Sequence, residues 1–166
     1  MITQPHYFAL KLFSALGCGL IAGVFFAFSS FVMNALARQP APQGIAAMQA
    51  INITVINPSF MGVFLGTAAA CIVLTFSTLS KWHQPGAPYL LLGAMLYLVG
   101  TVSVTIVCNV PLNDRLAKVD PSSAEGARFW ASYLTHWTFW NHVRTVAAIA
   151  ATTSLTIALY YRAGRA

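Results

Sequence analysis

Asn109, Asn113, Asp114, Arg115, Arg128, His136, Asn141, His142 and Arg144 fall within one 36-residue stretch, with Trp130, Tyr133, Trp137 and Trp140 among them. Side chains of these types support a short menu of chemistry. Imidazole titrates near neutral pH and serves as a base. Amide and guanidinium donors stabilise a developing oxyanion. Indole and phenol faces stack on flat rings. Much of the remaining sequence is hydrocarbon, and polar groups at the edge of an apolar zone are costly enough to mark a functional site by default.

Residues three and four apart on a helix share a face. Tyr133, His136, Trp137, Trp140, Asn141 and Arg144 follow that spacing and form one expected stripe. Arg144 stands at the mouth of an apolar segment. It needs an acceptor there, from a carboxylate, a carbonyl or a bound anion, unless it snorkels to the interface. The chain holds three carboxylates, Asp114, Asp120 and Glu125. His142 lies about 200° around the helix from Arg144, so it is expected to meet a neighbouring segment, at Asn109 or Asn34. Asn109 and Asn113 flank Pro111, which is expected to end the third apolar segment and leave both on a turn. There they either donate to an oxyanion or satisfy backbone groups freed by the proline. Gln49 and Asn52, three apart, either cap the bundle or face water, and both stand with Tyr133 among the candidate substrate-binding residues.

No cofactor is specified. His136 and His142 are six apart, a spacing that disfavours a shared metal, although imidazole suits copper and iron. Cys18, Cys71 and Cys108 have no metal-site or redox-motif spacing and read as small buried hydrophobes. The site residues are therefore expected to hold no metal.

The elements that must position this chemistry are membrane helices. The chain is 58% hydrophobic and 7% charged, against roughly 25% charged in a soluble domain. Four segments, about 8–36, 60–79, 89–108 and 143–161, approach or exceed the roughly 20 apolar residues that cross a bilayer. The expectation is an all-α polytopic membrane protein, one four-helix domain over residues 1–166 with no separate soluble domain. The first segment is too long for a cleaved signal and no small-residue cleavage pattern follows it. The net charge of +6 comes from scattered Lys and Arg rather than a basic run, which argues against nucleic acid as a partner. Lys81, Arg162 and Arg165, with Lys11 nearby, fall on the side of the termini, and Arg38, Arg115, Lys118 and Arg128 on the other, where Asp114, Asp120 and Glu125 balance them. The Lys and Arg counts nearly tie, and the net charge and the basic tail are what point to cytoplasmic termini.

Ala15, Gly19 and Gly23, then Gly62, Gly66 and Ala70, then Ala147 and Ala151 recur every four residues. Such spacing lets helices approach closely in lipid and predicts close contact among the first, second and fourth spans. A short amphipathic interfacial helix is expected near residues 44–53. Ser122 and Glu125 have capping-box spacing. They predict a helix start near Ser123, extending the fourth helix to Tyr161 unless a kink near His136 divides it.

The string Asn109-Val110-Pro111-Leu112-Asn113, followed by Trp137-Thr138-Phe139-Trp140-Asn141-His142-Val143-Arg144, resembles the anthrone oxygenase family. Residues 25–36 (FFAFSSFVMNAL) and 48–52 (MQAIN) are similar to its other signatures. The resemblance covers essentially the whole chain. It implies a four-helix protein, in most members of a bacterial inner membrane, and in some fungal members oxidation of an anthrone to an anthraquinone with O2. Carried over by position, it implies functional roles for Asn109, Asn113, Trp137, Asn141, His142 and Arg144. Two readings follow. In the first, the protein sits in the lipid bilayer and a flat, apolar phenolic substrate meets O2 without a cofactor. His136 or His142 is the base, Arg144, Asn141 and Asn109 hold the oxyanion, and Trp137 and Trp140 stack on the rings. In the second, the same residues are helix glue in a non-catalytic ligand-binding module or accessory subunit. Oligomers are compatible with either.

Overall fold

The computed structural model describes residues 4–80 and 82–163. Lys81 and Arg165, and the side chain of Arg162, on which the topology argument leans, lie outside the described residues. Helix α1 covers residues 4–37, with a π-helical stretch Phe28–Val32 inside it. Helix α2 is Ala41–Thr54, α3 is Pro58–Leu79, α4 covers residues 87–117 and α5 is Ala124–Ala163. All but α2 are long and apolar enough to cross a membrane. The protein is an all-α, four-span integral membrane bundle.

Around the bundle, α1 packs on α5 and α3, while α4 packs on α5 and α3. The second and fourth spans are therefore diagonal, not in the mutual contact that the small-residue spacing suggests. The reason lies in α4, where Gly93 and Gly100 admit Leu155 and Ala147 of α5. A Cβ on those glycines would stand 2.7 Å from Leu155 Cγ and 2.5 Å from Ala147 Cβ. The four-residue repeat on α1 also drifts about 40° per step around a helix of 3.6 residues per turn. By Gly23 it faces open space. Gly17 is instead the α1 glycine that meets α3 directly, against Thr67.

Two cores result. One lies within the spans and includes Cys18, Ile21, Leu74, Tyr97, Ala151 and Leu155. Tyr97 Oη satisfies itself there by donating to the Phe64 carbonyl at 3.0 Å. The other is sulfur-rich and aromatic: Met33, Ile45, Met48, Leu116, Trp130, Tyr133 and Trp137. Helix α2 supplies Ile45 and Met48 to it. Gln49 of α2 donates to the carbonyls of Leu116 (2.8 Å) and Val119 (3.0 Å), so it caps the end of α4 rather than facing water.

Helix α4 does not end at Pro111. It is π-helical over Leu96–Ser103 and Thr105–Asn109 and then α-helical over Val110–Ala117. Pro111 falls in the first turn of the last piece, where its missing N–H costs least. Asn109 and Asn113 accordingly sit on a continuous helix and not on a turn. Helix α5 runs through His136 as one 40-residue α-helix. Its cap lies one residue beyond the capping-box spacing. The Asp120 carboxylate accepts from the Ser122 N–H (2.9 Å) and hydroxyl (2.7 Å). Ser123 Oγ then receives the Gly126 N–H at 2.9 Å. The two bonds from Ser122 hold Asp120 below the usual carboxylate range.

Candidate functional site

Where α1, α2, the first half of α3 and α4 diverge, they leave a cavity of about 320 Å³ whose inner wall is Trp137 and Arg144 of α5. Phe25, Phe28, Met48, Phe60, Met61 and Phe64 make most of its lining apolar. Four polar side chains interrupt it: Asn52, Thr105, Asn113 and Arg144. A largely apolar cavity with a few convergent polar groups is the usual form of a small-molecule site.

Arg144 is 4% exposed. Its guanidinium lies 4.2 Å from the centroid of the Phe25 ring and 5.1 Å from that of Trp137. Nη1 donates to Thr105 Oγ1 at 3.2 Å, and Nη2 to Asn141 Oδ1 at 2.8 Å. Both acceptors are neutral, while Asp114, Asp120 and Glu125 are all exposed. The buried Nε has no partner. A buried cation met by neutral oxygens and ring faces is under-compensated, and here it borders a cavity.

Its acceptors are themselves fixed. Asn141 Nδ2 donates to the Phe25 carbonyl (2.8 Å) and to Ser29 Oγ (2.7 Å), which leaves Oδ1 for Arg144. Ser29 also bonds Thr145 at 3.0 Å. Thr105 Oγ1 donates to the Thr101 carbonyl at 2.7 Å, so its lone pairs face the guanidinium. Thr105 and Ser29 both lie in π-helical stretches, a distortion often found at functional sites.

Asn113 Oδ1 accepts from Tyr133 Oη (2.8 Å) and from Trp137 Nε1 (2.9 Å). An indole N–H is donor-only, so the amide orientation is determined and its NH2 group is the end left for the cavity. Trp137 thus carries a donor site at each end, Asn113 at its Nε1 and Arg144 against its ring. Tyr133 stacks on Trp130 (5.5 Å) and on Trp137 (6.2 Å). Phe28 tilts onto Trp137 at 5.6 Å.

The expected stripe on α5 divides in two. Tyr133, Trp137, Asn141 and Arg144 are buried and point inward. His136 is exposed and its Nδ1 bonds the Ser132 carbonyl at 2.8 Å. Trp140 is half-buried, edge-on to Phe139 at 5.1 Å. His142 is exposed and lines a shallow depression with Asn34, Thr135 and Thr138. Asn109 is buried beside the site, donating to the Trp137 carbonyl at 3.2 Å while its Oδ1 has no partner. Asn52 lines the cavity, whereas Gln49 does not, its amide being held by the Leu116 and Val119 carbonyls. Thr105 and Phe25 complete the site without having stood out in the sequence. Phe25 belongs to the quoted 25–36 string, but a threonine within an apolar run carries no signal of its own. Among the described residues no three His, Cys, Asp or Glu side chains gather as a metal site would require.

The fold and site define a polytopic membrane protein with a cation-floored apolar cavity. The chain belongs to the anthrone oxygenase family, whose model matches residues 60–154. Those residues include most of α3, all of α4 and the part of α5 that carries the site. No curated protein and no solved structure matches the chain.

Proposed function

We propose that the cavity binds a flat, weakly acidic aromatic molecule as its oxyanion and lets it react with O2, as in oxidation of an anthrone. The observation that supports this most directly is the unpartnered Nε of a buried Arg144 bordering an aromatic cavity. A fixed cation in a dry site favours the deprotonated form of a neighbouring acid. The anthrone methylene loses its proton to water and binds as the enolate, its oxygen on Arg144. The nucleophilic carbon gives electrons to O2 and bonds one of its oxygens. After uptake of a proton, the hydroperoxide carbon gives its remaining C–H proton to water as the O–O bond breaks and hydroxide leaves, which forms the second carbonyl and one net water. Anthrone plus O2 becomes anthraquinone plus water. Asn113 supplies a second donor to a substrate oxygen at the far end of Trp137. Neither His136 nor His142 lines the cavity, and this reading gives the base role to neither. It also takes the membrane to be a bacterial inner membrane with cytoplasmic termini.

The test is O2 uptake by the purified protein in lipid nanodiscs with an anthrone. Uptake that disappears in Arg144→Gln, with unfolding unchanged, is the expected result. Full activity in that variant would remove Arg144 from the mechanism. Saturable ligand binding without O2 uptake by the wild type would leave the non-catalytic module.

A further inference from the structure

The cavity has a mouth, and the residues at that mouth are on the outside of the bundle. Leu65 of α3 is 52% exposed, Ile106 of α4 is 59% exposed and Ile56, just after α2, is 71% exposed, yet all three line the cavity. Val24 and Val110 join them at the rim. No rim residue is charged or polar. Leu65 lies seven residues into α3, about 10 Å along its axis at 1.5 Å per residue. That depth places the opening on a lipid-facing surface of a membrane helix. Arg144 lies against the inner wall, with Asn113 bonded to Trp137 beside it, and Asn52 is half-buried one turn from Ile56.

We infer that the site is loaded sideways from the bilayer, and that its substrate is a membrane-dissolved amphiphile. An acidic phenolic or enolic oxygen goes in first to Arg144, and an apolar tail or ring edge remains between Leu65 and Ile106. The inference rests on the proposed function for the identity of the head group. The physical case is the gradient of the lining. Each apolar carbon that passes the rim exchanges lipid for Phe, Met and Leu side chains at almost no cost. A water-borne solute entering by this mouth would first have to cross hydrocarbon. The under-compensated guanidinium then supplies the specific attraction.

The test uses a 4-alkylphenol carrying a diazirine on its tail, photolysed with the protein in phosphatidylcholine nanodiscs, with labelled peptides mapped by mass spectrometry. Labelling is expected on Met61, Leu65 and Ile106, competed by excess 4-dodecylphenol and reduced about tenfold or more in Arg144→Gln, the loss of a charge-assisted bond. Ile106→Trp, which fills the rim from outside, should reduce it too. Leu65→Trp stands in if that variant unfolds. Uniform labelling of every lipid-facing helix, insensitive to competitor and to Arg144→Gln, overturns the inference. So does competed labelling confined to the His142 depression. O2 uptake with an anthrone separates the two proposals. Competed rim labelling without uptake removes oxidation and keeps lateral entry, and uptake without rim labelling does the reverse.

Discussion

The two ends of the bundle are built on opposite principles. Toward the termini, helices touch through Gly17 and Thr67, Gly93 and Leu155, Gly100 and Ala147. Small residues there replace the hydrophobic effect that lipid cannot supply between helices. Toward the long loops, the contact residues are Phe, Met and Trp. Large side chains hold the helices apart and leave about 320 Å³ between them. The first end spends its sequence on packing. The second accepts an unpaired cation and an open volume, both of which oppose stability. The comparison suggests that stability and chemistry are separable in this chain, and substitutions can break or sharpen that separation.

The largest expected effect is at Arg144. Replacing it with Gln or Ala removes a fixed oxyanion partner, a loss of roughly 10²–10³ in turnover. With Gln, whose amide can still donate to Asn141 Oδ1, stability should change little, whereas Ala leaves that buried oxygen unpaired and should cost about 1–3 kcal/mol. Turnover with an anthrone and thermal unfolding in the same nanodiscs check both halves. Unfolding of every Arg144 variant would mean that the cation is structural and the separation fails. The converse substitution is Gly17→Leu. Its side chain meets Thr67 of α3 directly, and overpacking of that kind costs about 1–3 kcal/mol. The expected result is a lowered unfolding temperature with the turnover per folded molecule retained.

Asn113→Ala is next. It removes the acceptor shared by Tyr133 Oη and Trp137 Nε1, and a buried donor left unpaired costs about 1–3 kcal/mol. It also removes the free amide donor. The rise in KM should therefore exceed the fall in kcat, and both stability and binding should weaken. This is the one position where the two ends' logics overlap. Asn113→Asp keeps the acceptor while removing the NH2. If stability returns and binding does not, the amide has a recognition role.

Much of this architecture is legible in the chain itself, because low charge and long apolar runs permit only membrane helices. The continuity of α5 follows from the absence of proline between Ser122 and Tyr161. The inward set Tyr133, Trp137, Asn141 and Arg144 follows the four-and-three spacing of a helix. What escaped is whatever depends on a partner helix. Pro111 reads as a stop, and only the π-helical turns before it show how α4 continues. His136 and Trp140 share the helical spacing of the inward set, and spacing alone cannot say where a face ends. Thr105 is invisible without α5 opposite it. Gly17 falls between the repeating glycines because a four-residue repeat drifts around the helix and a contact does not.

The smallest expected effects sharpen the comparison most narrowly, within one helix. His136 and His142 lie on the outer side of α5, whose inner side carries Arg144. His136 bonds back to its own helix at Ser132, and His142 borders a shallow depression shared with Asn34. Neither bond nor burial gives either ring a path to the cavity. Alanine at each position should shift stability by no more than about 0.5 kcal/mol, the usual range for surface sites, and leave kcat within about twofold. The pH profile of turnover decides between roles that a single rate cannot. If an imidazole is the base, the acid limb of the wild-type profile disappears in one variant. If Arg144 acidifies the substrate, the limb follows the substrate's own acidity. It then moves between anthrones of different ring substitution and stays in place in both histidine variants. A limb that moves with His142→Ala would return the proton transfer to the outer face of α5, and would require the helix or the substrate to bridge the two sides.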